Sequence, residues 1–261
     1  MFSIRKTLAS AIAAIVLATG AQASTTNVDV ELSLLIDVSG SVDNNEFNLQ
    51  RQGYIDAFRN STIVNSILST AGGRLGKIAV EVVYWSSSNA QSRVVGWSLL
   101  DSASSISDFA DTLASKARTS NGQTAIGSAI KFGADSIASN LFDGTSKVID
   151  VSGDGENNQS TSAMEGRDYA LNLGITRING VAIGGTSLLD YYEKNVIGGT
   201  DAFALQASGF DTFGAAIERK LKAEIEGTTP SPVPVPAAGL LLLSGLGGIG
   251  AIRRMRRKST V

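Results

Sequence analysis

Between Ser24 and Thr229 the chain contains no proline; its four prolines are Pro230, Pro232, Pro234 and Pro236. Nothing in that long stretch forces a break in a helix or a central strand. Two apolar patterns alternate along it. Val30 to Ile36, Ile78 to Trp85, Arg93 to Leu99, Lys147 to Val151, Ile175 to Ile183 and the weaker Ala202 to Leu205 are compact runs that predict strands. Helical spacing marks Asp43 to Phe58, Ser162 to Leu173 and Leu188 to Val196. It also marks the faces Ile106, Phe109, Ala110, Leu113, Ala117; Ile126, Ile130, Ala134, Ile137, Leu141; and Phe210, Phe213, Ile217, Leu221, Ile225. The polar stretch Ser86 to Ser92 joins the second and third runs as a hairpin. The alternation predicts an α/β fold: a doubly wound, mostly parallel six-stranded sheet with one antiparallel edge strand and helices on both faces. Residues 24–228, about 205 in number, have the size of one domain. In such sheets ligands bind beyond the carboxyl ends of the strands, where strand order reverses, which directs attention to the residues after Ile36.

The chain has no cysteine and no histidine. That excludes disulfides, thiol nucleophiles, Ser-His-Asp triads and zinc sites built on sulfur or imidazole. A bound metal must be a hard ion held by oxygen. All 24 acids lie in the body, whereas Arg5, Lys6, Arg253, Arg254, Arg256, Arg257 and Lys258 sit at the ends. The body is therefore acidic, which argues against nucleic acid as a partner.

Both ends read as address labels. Residues 1–23 have a basic start (Arg5, Lys6), an apolar run (Leu8 to Leu17) and an A-x-A site at Ala21-Gln22-Ala23, the layout of a secretory signal peptide. Export is expected, with Ser24 opening the mature chain. Residues 229–236 form a stiff proline-rich linker. The uncharged segment 237–252 falls a little short of a ~30 Å hydrocarbon core at ~1.5 Å per residue, and the basic tail 253–261 follows it. The order Val233-Pro-Val-Pro-Ala, apolar run, arginine cluster resembles the VPLPA variant of the PEP-CTERM sorting tails of Gram-negative bacteria, with Val235 where that motif has Leu. The resemblance implies recognition by a sorting protease of the exosortase type and delivery to the cell surface. A plain C-terminal membrane anchor is the other reading of the same residues.

The first strand runs into Asp37-Val38-Ser39-Gly40-Ser41. Period-two spacing sets Asp37, Ser39 and Ser41 on one side, and a carboxylate with two hydroxyls suits a hard divalent cation. Capping of the next helix by Ser41 or Asp43 would explain part of the same pattern. Thr124 lies at the entrance of a later helix, and Asp154 just past the strand that follows. Together these pieces resemble the metal-ion-dependent adhesion site (MIDAS) of von Willebrand factor type A domains, over roughly residues 28–226. More narrowly, the segments 36–41, 148–158, 178–183 and 196–199 resemble a family of secreted proteobacterial domains of unknown function with the type A fold. By that resemblance Ser39 and Ser41 bind the ion directly, Asp37 sits behind them, Thr124 binds when a ligand is present, and Asp154 acts mostly through water. An open position is left for an acidic group of a partner protein or polymer. With two acids among three hydroxyls, Mg²⁺ is expected, Mn²⁺ substituting. Asp150 reads as either a support for the site or a satisfied core carboxylate, and Asn157 and Asn158 as rim or as turn residues.

Other motifs fail. Asp150 to Gly155 imitates an EF-hand loop, but its twelfth position is Thr161 and it opens inside a strand. Gly72 to Ile78 imitates a phosphate loop with one residue too few. Trp85 and Trp97 read as packing residues. The expectation is a surface-displayed, metal-dependent binding module and not an enzyme. The alternatives are a metal-assisted hydrolase, for which Glu156 is the one carboxylate beside the motif able to act as base, and a matrix component with a vestigial site.

Overall fold

A computed structural model describes residues 25–230. The expected signal peptide, apolar segment and basic tail lie outside the described residues. The elements are β1 (Thr26–Asp37), α1 (Asn44–Arg59), α2 (Ser61–Leu68), β2 (Ile78–Trp85), β3 (Gln91–Leu100), α3 (Ala103–Ala114), α4 (Ile126–Ala138), β4 (Phe142–Gly153), α5 (Ala163–Asn172), β5 (Arg177–Ile183), α6 (Thr186–Asn195), β6 (Gly198–Gly199), β7 (Ala204–Ala207) and α7 (Phe213–Glu226).

They form a seven-stranded sheet in the order β3-β2-β1-β4-β5-β6, with β7 also on β5. β1 pairs in parallel with β2 and β4, and β5 in parallel with β4 and β7; β2 and β3 make the antiparallel hairpin at one edge. The six expected strands are present, and the seventh, β6, is a two-residue antiparallel pairing with β5 that leaves too short a run to register in a pattern. Strand order reverses between β1 and β4, so the crevice above that pair receives the ends of both strands.

Alternate residues of the central strands feed two cores. Leu32, Leu34, Ile36, Val80, Val82 and Tyr84 join Phe47, Tyr54, Phe58, Phe109, Phe213 and Ile217 beneath α1, α3 and α7. Leu35, Val83, Trp85, Ile149 and Val151 join Ile126, Ile130, Ala163 and Tyr192 beneath α4, α5 and α6. Burial on both faces explains the near-continuous apolar runs. Where α4 crosses α5, a Cβ on Gly127 would come within 2.1 Å of Ser162 O, and one on Gly166 within 2.4 Å of Gly127 O. Only glycine permits that approach.

The elements differ locally from the sequence expectations. The helical region after Asp43 is followed by a separate helix, α2. Asn60 adopts an extended conformation between the two, and its side chain accepts from Thr62 N at 2.7 Å. The faces drawn through Ala117 and Leu141 overran their helices, which end at Ala114 and Ala138; Leu141 is exposed. β4 is far longer than Lys147 to Val151, because its polar first half is held along β1 from Thr26 onward. Asp150 lies within that strand and pairs in register with Leu34 and Asn179. Trp85 is fully buried, and Trp97 packs against Phe142 at 6.3 Å and donates to Ser136 Oγ at 3.0 Å.

Candidate metal centre

β1 delivers Asp37 to the reversal point, and the next turn must lead into α1. Asp43 is the helix cap: its carboxylate accepts from Asn45 N and Glu46 N, and Asp43 N donates in return to Glu46 Oε2. Ser41 is thus free of capping duty, and it donates to Asp154 Oδ1 at 2.7 Å. Ser39 N donates to Asp37 Oδ1 at 2.7 Å, Ser39 Oγ lies 3.2 Å from Ser41 Oγ, and Thr124 Oγ1 donates to Ser39 Oγ at 3.4 Å. The five residues singled out in the sequence therefore form one contiguous oxygen cluster, supplied by three separate loops. It grades from the fully buried Asp37 and Ser39, through Thr124, to the half-buried Asp154 and exposed Ser41, so its open side faces solvent.

Asp37 is the electrostatic focus. Its Oδ2 is buried and has no hydrogen-bond partner. Desolvation pushes its carboxyl up to about 7, against the pull of Ser39 and the Arg118 guanidinium and with the push of Asp154. Asp154 is also raised, by desolvation first, with the Ser41 bond opposing and the charge of Glu46 adding. Gly153 keeps space open here: a Cβ would stand 2.8 Å from Asp37 Oδ2 and 2.8 Å from the Tyr192 hydroxyl, itself buried without a partner. A buried carboxylate oxygen lacking a donor, beside three hydroxyls, fits a small divalent cation. Among the described residues there is no group of three or more acids that could act as an alternative metal cage.

Several supporting residues carried little sequence signal. Arg118 Nη2 donates to Val38 O at 2.9 Å and Ser39 O at 2.7 Å, and its Nε to Ser120 O at 3.0 Å, clamping the Asp37 loop to the Thr124 loop. Gly40 N donates to Gly122 O at 2.7 Å between the same loops. On the buried face of α1, Gln50 Nε2 donates to Asp37 O at 2.9 Å, and Gln50 Oε1 accepts from Ser152 Oγ at 2.9 Å. A lone glutamine on an apolar helical face was the one available clue. Asn158 exchanges bonds with the Thr124 backbone at 2.9 and 2.8 Å, and Asn157 Oδ1 accepts from Gly127 N at 3.1 Å; both stitch the Asp154 loop to the start of α4. Glu156 is exposed and makes no hydrogen bond to the five. Asp150 lies on the opposite face of the sheet, in an ion pair with Lys220 at 2.7 Å.

The topology is that of a von Willebrand factor A-like α/β domain. The chain belongs to the family described as protein of unknown function (DUF1194), whose model matches residues 27–229. No curated protein matches it in sequence. Solved structures share the fold at low identity. Proximal thread matrix protein 1 (PTMP1) from the mussel byssus, with a zinc-occupied MIDAS motif, superposes with a TM-score of 0.53 at 19% identity, over 78% of this chain and 47% of that one. The pilus adhesin SpaC from Lactobacillus rhamnosus GG gives 0.58 at 14% identity, over 78% and 31%. An aerotolerance-related membrane protein from Bacteroides fragilis gives 0.50 at 15% identity, over 76% and 100%. The chain thus spans less than half the length of the first two.

Proposed function

We propose that the chain is an exported binding module of adhesion type, in which Asp37, Ser39, Ser41, Thr124 and Asp154 hold a divalent cation that engages an acidic group on a partner protein or polymer. The observation that carries this reading is the unpartnered, buried Asp37 Oδ2 under a hydroxyl cluster open at Ser41 and Asp154. Bound there, a cation supplies a Lewis-acid position for an anionic oxygen. Asp37 fixes the Ser39 amide, Ser41 and Asp154 hold each other at the rim, and Arg118 and Gln50 fix the loop carbonyls from either side. The relatives in fold include a pilus adhesin and a protein with a metal-occupied MIDAS motif, which supports the class without naming this chain's partner. A hydrolase is disfavoured because a metal-activated water needs a base, and Glu156 is exposed with no hydrogen bond to the cluster.

Two acids among three hydroxyls favour Mg²⁺ or Mn²⁺ over a carboxylate-rich Ca²⁺ cage. Calorimetry on the purified protein is expected to register Mg²⁺ and Mn²⁺ binding that Asp37→Asn abolishes. Tight Ca²⁺ binding with none for Mg²⁺ would overturn the assignment. A pull-down against surface material of the producing cell, with Mg²⁺ or with chelator, tests the partner class.

Sorting through the tail is part of the same proposal. Protein from the native host is expected to lack residues 1–23 and the segment beyond about Pro236, the order of motifs giving the reason. An intact mass that retains Ile252 through Val261 would favour a simple anchor.

A further inference from the structure

Asp150, Lys220 and Glu224 form a buried cluster that the candidate metal centre does not use. Asp150 shares strand parity with Val148 and so faces α7. Lys220 and Glu224 lie on the inward face of that helix, beside Ile217 and Leu221. Asp150 and Lys220 are 0% exposed and Glu224 1%. Lys220 Nζ stands 2.7 Å from Asp150 Oδ1 and touches Glu224 Oε1. Neither Asp150 oxygen receives an aligned hydrogen bond, and Glu224 Oε2 has no partner, although Oε1 accepts from Asn179 Nδ2 at 2.9 Å. Tyr54, bonded to Ser152 Oγ at 3.3 Å, is the other titratable group facing the cluster. Two carboxylates thus surround one ammonium in an apolar core.

We propose that this cluster is an autocatalytic cross-linking site, in which Lys220 and Asp150 join through an intramolecular isopeptide bond with Glu224 as proton carrier. A low-dielectric interior disfavours the charged carboxylate and favours the neutral acid, the form of Asp150 that reacts. Burial raises Asp150 and carries Glu224 to about 7, the charge of Lys220 partly opposing in each case. A proton passes from the ammonium to Asp150. The amine lone pair then attacks Cγ and forms the C–N bond. Glu224 takes a proton from that nitrogen and hands it to the departing hydroxyl as the C–O bond breaks. One water leaves, Glu224 is regenerated, and nothing is oxidised or reduced. Fixed contact between the reacting groups replaces a bimolecular encounter, the effect that makes such intramolecular steps fast.

The bond would tie α7, the last described helix before the proline-rich linker, to β4, the strand that ends beside Asp154. Force applied at the tail would then reach the central sheet through a covalent link, without first peeling α7 away. This inference is independent of metal binding.

The test is a tryptic digest of the purified full chain, read by mass spectrometry. Expected is a branched product joining Val148–Arg167 to Lys220–Lys222, lighter than the two peptides by one water, and absent from the variants Lys220→Arg and Glu224→Gln. Linear Val148–Arg167 of full mass, with cleavage after Lys220, would overturn the proposal in the wild-type protein alone, whether or not the variants fold. Water loss confined to linear Val148–Arg167 would overturn it too, since a succinimide at Asp154-Gly155 would account for the mass. Loss of ammonia with a branch to the peptide holding Asn179 would reject Asp150 as the acyl partner.

Discussion

In chelator, the protein is expected to lose stability as the pH rises from about 4 to about 8, and Asp37 is the main cause. Its carboxyl titrates at about 7 in the folded state, against an ordinary value of 3.8, because burial disfavours the charged form. Between those two values the folded protein keeps a proton that the unfolded chain has released. Asp37's contribution is therefore greatest at the acidic end and is lost as the pH climbs through 7. The displacement corresponds to about 4 kcal/mol at the alkaline end. Glu224, also carried up to about 7 by burial, works in the same direction wherever it is free to titrate. Asp37→Asn isolates the first contribution: the variant should be the more stable protein at pH 8 in chelator, and its pH profile the flatter. Saturating Mg²⁺ should oppose the wild-type trend, since the cation displaces the same proton and binds more tightly as pH rises. Denaturant melts across this range decide the matter. A wild-type profile that climbs from pH 5 to pH 8 without metal would contradict the burial of Asp37 as a charged group.

The second large effect separates site from scaffold. Ile36 is fully buried on the central strand, one residue before Asp37. Ile36→Ala should cost about 2–5 kcal/mol with or without metal, the usual result of emptying a well-packed position. Asp154→Ala, at the half-buried rim, should leave the metal-free protein intact or slightly more stable, because it removes a charge that repels Asp37. The order reverses in Mg²⁺. An ion at a hundred times its dissociation constant adds about 2.7 kcal/mol to the folded state, and Asp154→Ala should forfeit most of that increment. Thermal melts of wild type and both variants, in Mg²⁺ and in EDTA, measure all of this. A wild-type curve indifferent to Mg²⁺, or an Asp154→Ala curve that moves as far, would reduce the Asp37–Ser41 segment to a turn.

The sequence alone determined the scaffold and the addresses of the five residues that meet in the oxygen cluster. Burial on both faces makes central strands read as unbroken apolar runs, and the absence of proline left them uninterrupted, so β1, β2, β4 and β5 stand out. Asp37, Ser39 and Ser41 were legible because they fall within five residues of one strand end, where spacing fixes geometry. What tertiary structure decided depends on contacts between distant segments. It showed that Asp43 rather than Ser41 caps α1, which leaves Ser41 to meet Asp154. It also placed Arg118 and Gln50 on the carbonyls beneath the loop, residues that look like ordinary surface and helix positions in the chain. Lys220 and Glu224 show the limit most plainly. A charged pair four residues apart on a helix usually marks a solvated face. Only the packing of α7 against α1, α2 and the β5–β7 side of the sheet turns it inward onto Asp150, because which face of an amphipathic helix is buried depends on what it packs against and not on the helix alone.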